Sequence, residues 1–454
     1  MRVLFLVFFS LLLLAGPALA QEDVATMRVK AEKGDADAQY RLGFAYAQGQ
    51  GAPQDWKEAE KWWRLAADLG NADAQNNLGF IYKNGKLGSP DFTEAEKWFR
   101  KAAEQGNANA QSNLGGLYSA GLGVKMDWKE AEKWYRKAAE QGLVNAQLAL
   151  GDLLFQGKSG VVDYNAAAKW YLKAADQGNV TAMVAIARMY RDGVGVPQFY
   201  REASDWFRKA AEKGNVEAQY NRGMLFRLGN GVAQSDREAW EWFKKAAEQG
   251  HPGAQFELSY LYAHGLGVAS DPAAAEMWAR KAADQGDPKA QHMLGNLYEQ
   301  GKGVTADPKE AARWYRLAAD QGFAEAQNDL ASLHVQGAGV DKDFSQAAEW
   351  YHKAAVQGFV KAQYNFGVLY QLGEGVEQNY KEAYEWFYKA ALAGHPKAQY
   401  SLGMLYLKGQ GVPQYDSEAE KWLKRAADQG EAKAQRALRD LKDKQSRERS
   451  QAPQ

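Results

Sequence analysis

The sequence predicts an all-α fold, a right-handed superhelical solenoid of 36-residue helix-turn-helix repeats. The main observation is a tryptophan column of eleven members, each 36 residues after the last, at positions 62, 98, 134, 170, 206, 242, 278, 314, 350, 386 and 422. A glycine column, beginning at Gly34 and Gly70, and an Ala66-Ala67 column keep the same interval. A fixed period of this length is typical of a solenoid, in which one supersecondary unit stacks on copies of itself.

Each repeat is predicted to be a pair of amphipathic helices, here called helix A and helix B. In the first repeat, helix A places apolar residues at i, i+4, i+7 and i+8, namely Ala38, Leu42, Ala45 and Tyr46. Helix B does the same at i, i+3, i+4, i+7 and i+8, with Ala59, Trp62, Trp63, Ala66 and Ala67. These spacings define one face of a helix. Because a ligand platform would vary between repeats, the regular tryptophans are interpreted as core.

Glycine-rich turns connect the helices. Gly49-Gln50-Gly51 lies between helices A and B, and its copies recur in most repeats, with a displaced second glycine at Gly85–Gly88 and Gly157–Gly160. These turns resemble fragments of a phosphate-binding loop. However, they follow a helix rather than a strand, so we interpret the glycines as residues that permit the positive φ needed to end one helix and begin the next.

The pattern predicts five segments. Residues 1–20 form a secretory signal peptide, with Arg2, an apolar run and an Ala18-Leu19-Ala20 cleavage site. Residues 22–34 form an N-terminal capping helix and 35–430 form the eleven repeats. Residues 431–442 form a C-terminal capping helix, followed by a polar, frayed tail at 443–454. The apolar run is too short to span a bilayer, so no membrane insertion is expected after cleavage.

Composition argues against several classes of function. Lys+Arg and Asp+Glu both number 56, so the chain has no basic surplus and no nucleic-acid partner is expected. There is no cysteine and therefore no thiol nucleophile, thiolate ligand or lipid-modified cysteine. The six histidines do not pair at ligand spacing, and no hydrolase, zinc-protease or Walker motif occurs. We therefore expect no catalytic residue, no metal and no cofactor.

The repeat resembles the Sel-one-like repeat family, a relative of the tetratricopeptide repeat. The third repeat shows the pattern well, with Ala110-Gln111, Leu114-Gly115, Tyr118, Gly121, Gly123-Val124, Ala131, Trp134-Tyr135, Ala138-Ala139 and Gly142. The likeness covers about 35–442 and implies a tetratricopeptide-like fold, but it does not specify a partner. The fifth repeat departs most, with Ala182-Met183 and Ile186-Ala187, which are read as tolerated packing changes.

The favoured interpretation is a non-catalytic, monomeric protein–protein interaction scaffold that is exported and resides in the periplasm, and the resemblance to a family prevalent in bacteria implies a bacterial envelope. An alternative is a secreted or surface factor that binds a host protein such as secretory immunoglobulin. A remote alternative is a β-lactam-binding enzyme, because a cysteine-rich branch of relatives has been linked to penicillin binding or hydrolysis. The present chain lacks the paired cysteines of that branch.

Variable positions of helix A identify a candidate site for a protein or peptide partner. They lie at i, i+3, i+7, i+10 and i+11, away from the core face, and by resemblance they line the concave groove of the solenoid. In two regions they carry aromatic and methionine side chains, and the predicted partner-binding residues are Tyr220, Met224, Phe256, Tyr260, Tyr364, Tyr400 and Met404. Such residues dominate interface hot spots. The alternative is that these side chains only pack between neighbouring helices.

Overall fold

A computed structural model describes residues 23–451 of the chain. Within that range it contains 24 α-helices and no strand. The helix-pair repeat is therefore confirmed. The predicted signal peptide at 1–20 lies outside the described residues. Inside them, no helix is both long and apolar enough to cross a membrane.

The chain divides into two compact units. The first unit ends at Ala218 and includes Asn230–Val232, while the second comprises Gln219–Gly229 and the chain from Ala233. The helices up to the division are α1 (Val24–Glu32), α2 (Ala36–Gln48), α3 (Trp56–Asp68), α4 (Ala72–Lys83), α5 (Phe92–Glu104), α6 (Ala108–Ala120), α7 (Trp128–Glu140), α8 (Val144–Gln156), α9 (Tyr164–Asp176), α10 (Val180–Asp192), α11 (Tyr200–Glu212) and α12 (Val216–Leu228), which crosses it. The second unit continues with α13 (Asp236–Glu248), α14 (Pro252–His264), α15 (Pro272–Asp284), α16 (Pro288–Gln300), α17 (Pro308–Asp320), α18 (Ala324–Gln336), α19 (Phe344–Val356), α20 (Val360–Leu372), α21 (Tyr380–Leu392), α22 (Pro396–Lys408), α23 (Asp416–Asp428) and α24 (Ala432–Gln451).

Within each unit, tryptophans of this column pack a repeat onto the one before it. Trp134, for example, shares a buried cluster with Leu114 of its own repeat and Phe99 of the preceding one. Nine of the eleven tryptophans are buried, as predicted. Trp206 and Trp242 are only half-buried. Trp206 borders an open cavity of about 370 Å³ in the first unit, beside Met183.

A lysine lies over the exposed edge of most tryptophans. In eight repeats the residue three positions after the tryptophan is a lysine whose Nζ lies 3.9 to 4.5 Å from the indole centroid, namely Lys101, Lys137, Lys173, Lys209, Lys245, Lys281, Lys353 and Lys389. The cation is attracted by the indole face while its stem covers apolar surface. Helix B therefore presents a tryptophan surface already covered by its own chain.

Helix A carries a glycine where it crosses helix B. A Cβ on Gly115 would meet the Tyr135 ring at 2.9 Å, and one on Gly367 would meet the Phe387 ring at 2.8 Å. The seventh repeat shows the matching exchange, because Ser259 replaces the glycine and Ala279 replaces the aromatic residue. The helices thus approach closely by pairing a small residue on one with a large residue on the other.

Buried glutamines link successive repeats. Gln111 donates from Nε2 to the carbonyl oxygen of Ala103, and its Oε1 accepts from Nε2 of Gln141 at 2.8 Å. The same glutamine pair occurs at seven other junctions, with donors Gln105, Gln177, Gln249, Gln285, Gln321, Gln357 and Gln429. In the first repeat Leu69 replaces the donor, and the buried Oε1 of Gln39 has no hydrogen-bond partner.

The last helix is longer than expected. Helix α24 runs to Gln451, nine residues beyond the end predicted for the C-terminal capping helix at residue 442. The predicted end at Lys442 followed the loss of apolar spacing. However, residues 443–451 contain no glycine or proline, and Lys, Gln, Arg and Glu are good helix formers.

Candidate partner-binding stripe

All seven predicted partner-binding residues lie on A helices of the second unit. The first group is Tyr220 and Met224 on α12 with Phe256 and Tyr260 on α14, and the second is Tyr364 on α20 with Tyr400 and Met404 on α22. All seven side chains are half-buried. We call the set the aromatic stripe. The contacts of each side chain show how the stripe is built.

Two tyrosines of the stripe stack on histidines that cap the next A helix. The ring of Tyr220 lies 4.4 Å from that of His251, and the ring of Tyr364 lies 4.8 Å from that of His395. Each histidine accepts a backbone N–H through Nδ1, from Ala254 at 3.1 Å and from Ala398 at 3.2 Å. These tyrosines also contact the B helix of their own repeat, so one side of each ring is fixed.

Tyr260 lies between the guanidinium of Arg227 and the imidazole ring of His264. The Arg227 guanidinium lies 4.5 Å from the Tyr260 ring centroid, and the His264 ring stacks on it at 4.1 Å. Arg227 also forms an ion pair with Glu257. Burial raises the pKa of the Glu257 carboxyl, while Arg227 opposes the rise. Because Arg227 and Glu257 pair with each other, the polar side chains beside Tyr260 carry no unpaired charge from this pair.

The second group is more apolar. Tyr400, Met404 and Leu407 pack against the terminal buried cluster that contains Leu423 and Leu441. The Tyr364 ring lies 5.8 Å from the buried Phe387 ring, and burial raises the pKa of the Tyr364 hydroxyl. Tyr364 on α20 therefore packs against the cluster that contains Phe387, whereas Tyr400 and Met404 on α22 pack against the terminal cluster.

Polar side chains separate the two groups. On α16 and α18 the corresponding positions carry His292, Asn296, Asn328 and Ser332. His292 Nε2 lies 2.8 Å from an Asp329 carboxylate oxygen, and Ser332 lies within hydrogen-bond distance of the buried Tyr351 hydroxyl. The stripe therefore has apolar ends and a polar middle.

Two aromatic residues of this region were not predicted from the sequence. Phe323 and Phe359 are the N-cap residues of α18 and α20, where neither side chain can accept a hydrogen bond from the helix. An apolar N-cap costs about 1 kcal/mol relative to Asn or Asp. The Phe323 ring lies 5.4 Å from His292 on the stripe. The sequence signal that could have identified them is the replacement of Asn or Asp, found at this N-cap position in several other repeats, by phenylalanine.

A further cavity lies away from the aromatic stripe. It is an open space of about 720 Å³ in the first unit, bordered by Trp128 and by the displaced turn that contains Lys158. The Lys158 Nζ lies 4.5 Å from the Trp128 ring centroid, so a cation–π contact forms part of the cavity wall. No group of three potential metal ligands occurs in residues 23–451.

A solenoid of 36-residue helix pairs with a variable stripe on its A helices defines a class of repeat protein, and comparison with known proteins identifies the family. The Sel1 repeat profile matches eleven consecutive windows, from 36–71 to 396–431. The chain belongs to the Sel1 repeat family, which confirms the resemblance. Repeats of this family typically form scaffolds for protein–protein interaction.

Two solved structures agree over most of their length. One is c5321, a protective antigen present in uropathogenic Escherichia coli strains displaying an SLR fold, with 36% identity and a TM-score of 0.85 over 93% of this chain and 91% of that one. The other is a Sel1 repeat protein from Oxalobacter formigenes, with 32% identity and a TM-score of 0.54 over 68% of this chain and 89% of that one. No curated protein matches the chain significantly.

Proposed function

We propose that this protein is a non-catalytic, monomeric scaffold that binds a polypeptide partner along the aromatic stripe. The observation that carries the proposal is the half-burial of all seven stripe residues, together with the packing of the Tyr220 and Tyr364 rings on the B helix of their own repeat. A ring fixed in this way loses little conformational entropy when a partner covers its remaining surface. Aromatic and methionine side chains are also the residue types enriched in interface cores.

The contrast with helix B supports this choice of surface. On helix B the tryptophans are covered by lysines of the same chain, as with Lys389 over Trp386 at 4.0 Å. The exposed apolar residues of that face, such as Val356 and Leu392, are single side chains on separate helices. Scattered apolar residues of this kind are normal on a protein surface. The stripe, in contrast, groups its apolar residues on consecutive A helices.

The protein is proposed to act outside the cytoplasm, after cleavage behind Ala20. A periplasmic adaptor remains the preferred form. The secreted or surface alternative gains support from the likeness to c5321, because that relative is a protective antigen. Cell fractionation tests the choice: periplasmic fractions should contain a chain beginning at Gln21, and recovery in the medium or on the cell surface would favour the alternative. A chain retained in the cytoplasm would refute both.

Binding can be tested with peptides of known sequence. A random peptide library displayed on phage is selected on the purified chain, and the enriched peptides are synthesised and titrated. Tyr364→Ala and Tyr400→Ala should each weaken binding about 30-fold, which corresponds to about 2 kcal/mol. Val356→Ala and Leu392→Ala remove exposed apolar side chains from helix B and serve as matched controls. Failure to enrich any peptide, or equal losses in the controls, would refute the proposal.

A further inference from the structure

The second position of the A helices changes character along the chain. In the first five repeats it carries Asp37, Asp73, Asn109, Asn145 and Thr181. Beyond the seventh repeat it carries Lys289, Glu325, Lys361, Lys397 and, on α24, Lys433. A lysine in the first turn opposes the helix macrodipole, which favours acidic residues there. Four lysines at this position therefore have no local structural advantage.

Two of these lysines lie beside the second group of the stripe. Lys361 and Lys397 are close enough to His395 that their charges help burial to hold its pKa below the usual range. His395 in turn stacks on Tyr364. Both lysines are exposed, and among the described residues neither forms an ion pair. Lys361 lies about one turn before Tyr364 on α20, and Lys397 lies two residues after His395, so two positive charges lie near the Tyr364–His395 stack.

The acidic groups near this surface are few. Glu431, the residue before α24, acts on the Tyr364 hydroxyl and helps to raise its pKa. One Glu431 oxygen already accepts the backbone N–H of Lys433 at 3.3 Å. The stripe positions of α20 and α22 themselves carry no acidic side chain. The second group thus combines apolar rings with a local excess of positive charge, although the whole chain is neutral.

We propose that the surface formed by Tyr364, Tyr400, Lys361 and Lys397 binds an acidic polypeptide segment. Carboxylates of the segment pair with the two lysines, and an apolar side chain of the segment packs against the tyrosine rings. This inference rests on the proposed function and names the chemical class of its partner. Charge complementarity selects the orientation and speeds the encounter, while the rings supply most of the affinity.

A protein partner is favoured over nucleic acid. Binding to a phosphate backbone requires neutralisation of many phosphates by a basic surface, whereas Lys361 and Lys397 supply two positive charges near the Tyr364–His395 stack. The partner is therefore expected to be a peptide segment with acidic and apolar residues together. Single-stranded DNA serves as the probe for the alternative.

The experiment uses the enriched peptides of the phage selection with charge-reversed variants. Lys361→Glu and Lys397→Glu are combined in one variant. The matched control combines Lys309→Glu and Lys381→Glu, which are exposed lysines at the same second position of the B helices α17 and α21. Both variants change the net charge equally. Because an acidic residue suits the first helical turn, both should fold, and circular dichroism checks this.

The expected result is that enriched peptides carry a net negative charge and at least one large apolar residue. The charge-reversed variant should bind them about tenfold or more weakly, the control should change by less than about twofold, and added salt should weaken binding. Peptides of neutral or basic composition that still depend on Tyr364 would overturn the inference and leave the proposed function intact. Absence of any enriched peptide would overturn both. Binding of single-stranded DNA that competes with the peptides would also contradict the inference.

Discussion

The ring of Tyr364 stacks on the imidazole of His395 at a centroid distance of 4.8 Å and an interplanar angle of 24°. The histidine is the N-cap of the next A helix and accepts the backbone N–H of Ala398 through Nδ1. The same arrangement joins Tyr220 to His251. An aromatic side chain of the candidate site is thus held by a residue that begins the following repeat, so the stripe is built as the repeats stack.

Truncating Tyr364 should cost less stability than truncating the ring beneath it. Phe387 is fully buried, and Phe387→Ala should lower the free energy of unfolding by about 3–5 kcal/mol through loss of burial and formation of a cavity. Tyr364→Ala removes a half-buried ring and should cost clearly less. Urea unfolding of both variants measures the difference. If Tyr364→Ala were as destabilising as Phe387→Ala, the stripe would be packing, and the binding assignment would be wrong.

The same test applies to the other tyrosines named from the sequence. Tyr260→Ala and Tyr400→Ala should melt closer to wild type than Trp314→Ala, because Trp314 is a buried member of its column with 3% exposure. Trp314→Ala should lower the free energy of unfolding by about 3–5 kcal/mol. Trp242 is a poor comparison since it is only half-buried. Thermal melts of the three variants in parallel check this expectation.

Lowering the pH should weaken the cap at His395. Burial lowers the pKa of His395, and the charges of Lys397 and Lys361 lower it further. The unfolded chain therefore binds a proton at higher pH than the folded one. The stability contributed by neutral His395 is fully present above the unfolded value of about 6.5 and is lost as the pH falls through the lowered folded pKa. A protonated Nδ1 cannot accept the Ala398 N–H.

Two measurements check the pH effect. Proton NMR of the His395 ring should give a pKa below that of the unfolded chain. The variant His395→Asn keeps a capping acceptor, since Asn71 and Asn107 fill the same role in other repeats. Its stability should therefore depend less on pH than that of wild type between about pH 7 and pH 5. A His395 that titrates above the ordinary value, or identical pH profiles, would contradict the assignment.

Replacing Leu69 with glutamine should stabilise the first repeats. Leu69 is 59% exposed and occupies the position from which glutamines at eight junctions donate to the preceding buried glutamine. The Oε1 of Gln39 is buried without a partner. Supplying that hydrogen bond should raise the free energy of unfolding by about 1 kcal/mol. Urea unfolding measures it, and Leu69→Asn, which is too short to reach, is the control.

The close approach of helices A and B should show energetic coupling. Gly367→Ser places a Cβ at 2.8 Å from the Phe387 ring and should cost about 1–3 kcal/mol by overpacking. Combining it with Phe387→Ala copies the Ser259 and Ala279 pair of the seventh repeat. The double variant should be more stable than the sum of the two single changes predicts. Additive losses would show that the glycine is not required by the ring.

Periodicity was sufficient to predict the repeat architecture. Small and large residues recur in register, so the buried face of each helix follows from the sequence alone, as with Leu114 and Trp134. The seven residues named from the sequence lie on A helices and are half-buried, whereas Tyr40 and Phe44 at the same positions of the first repeat are buried. The binding role of the seven residues remains a prediction.

Other features could be recognised only from contacts in the three-dimensional structure. Phe323 and Phe359 lie outside the A helices, in the capping column, so a search of helix positions missed them. The pairing of Tyr364 with His395 joins residues 31 positions apart, and its significance appears only when the repeats are stacked. The half-burial of Trp206 and Trp242 depends on the local fit of neighbouring side chains. The extension of α24 to Gln451 reflects helix propensity without any apolar period to reveal it.

Photo-crosslinking tests the central claim most directly. The photoreactive residue p-benzoylphenylalanine is introduced in place of Val368, a half-buried stripe position on α20, or in place of Leu392, which is 60% exposed on α21. The enriched peptide should crosslink at position 368 and not at position 392, and excess unlabelled peptide should abolish the product. Crosslinking at position 392 with none at position 368 would contradict the account.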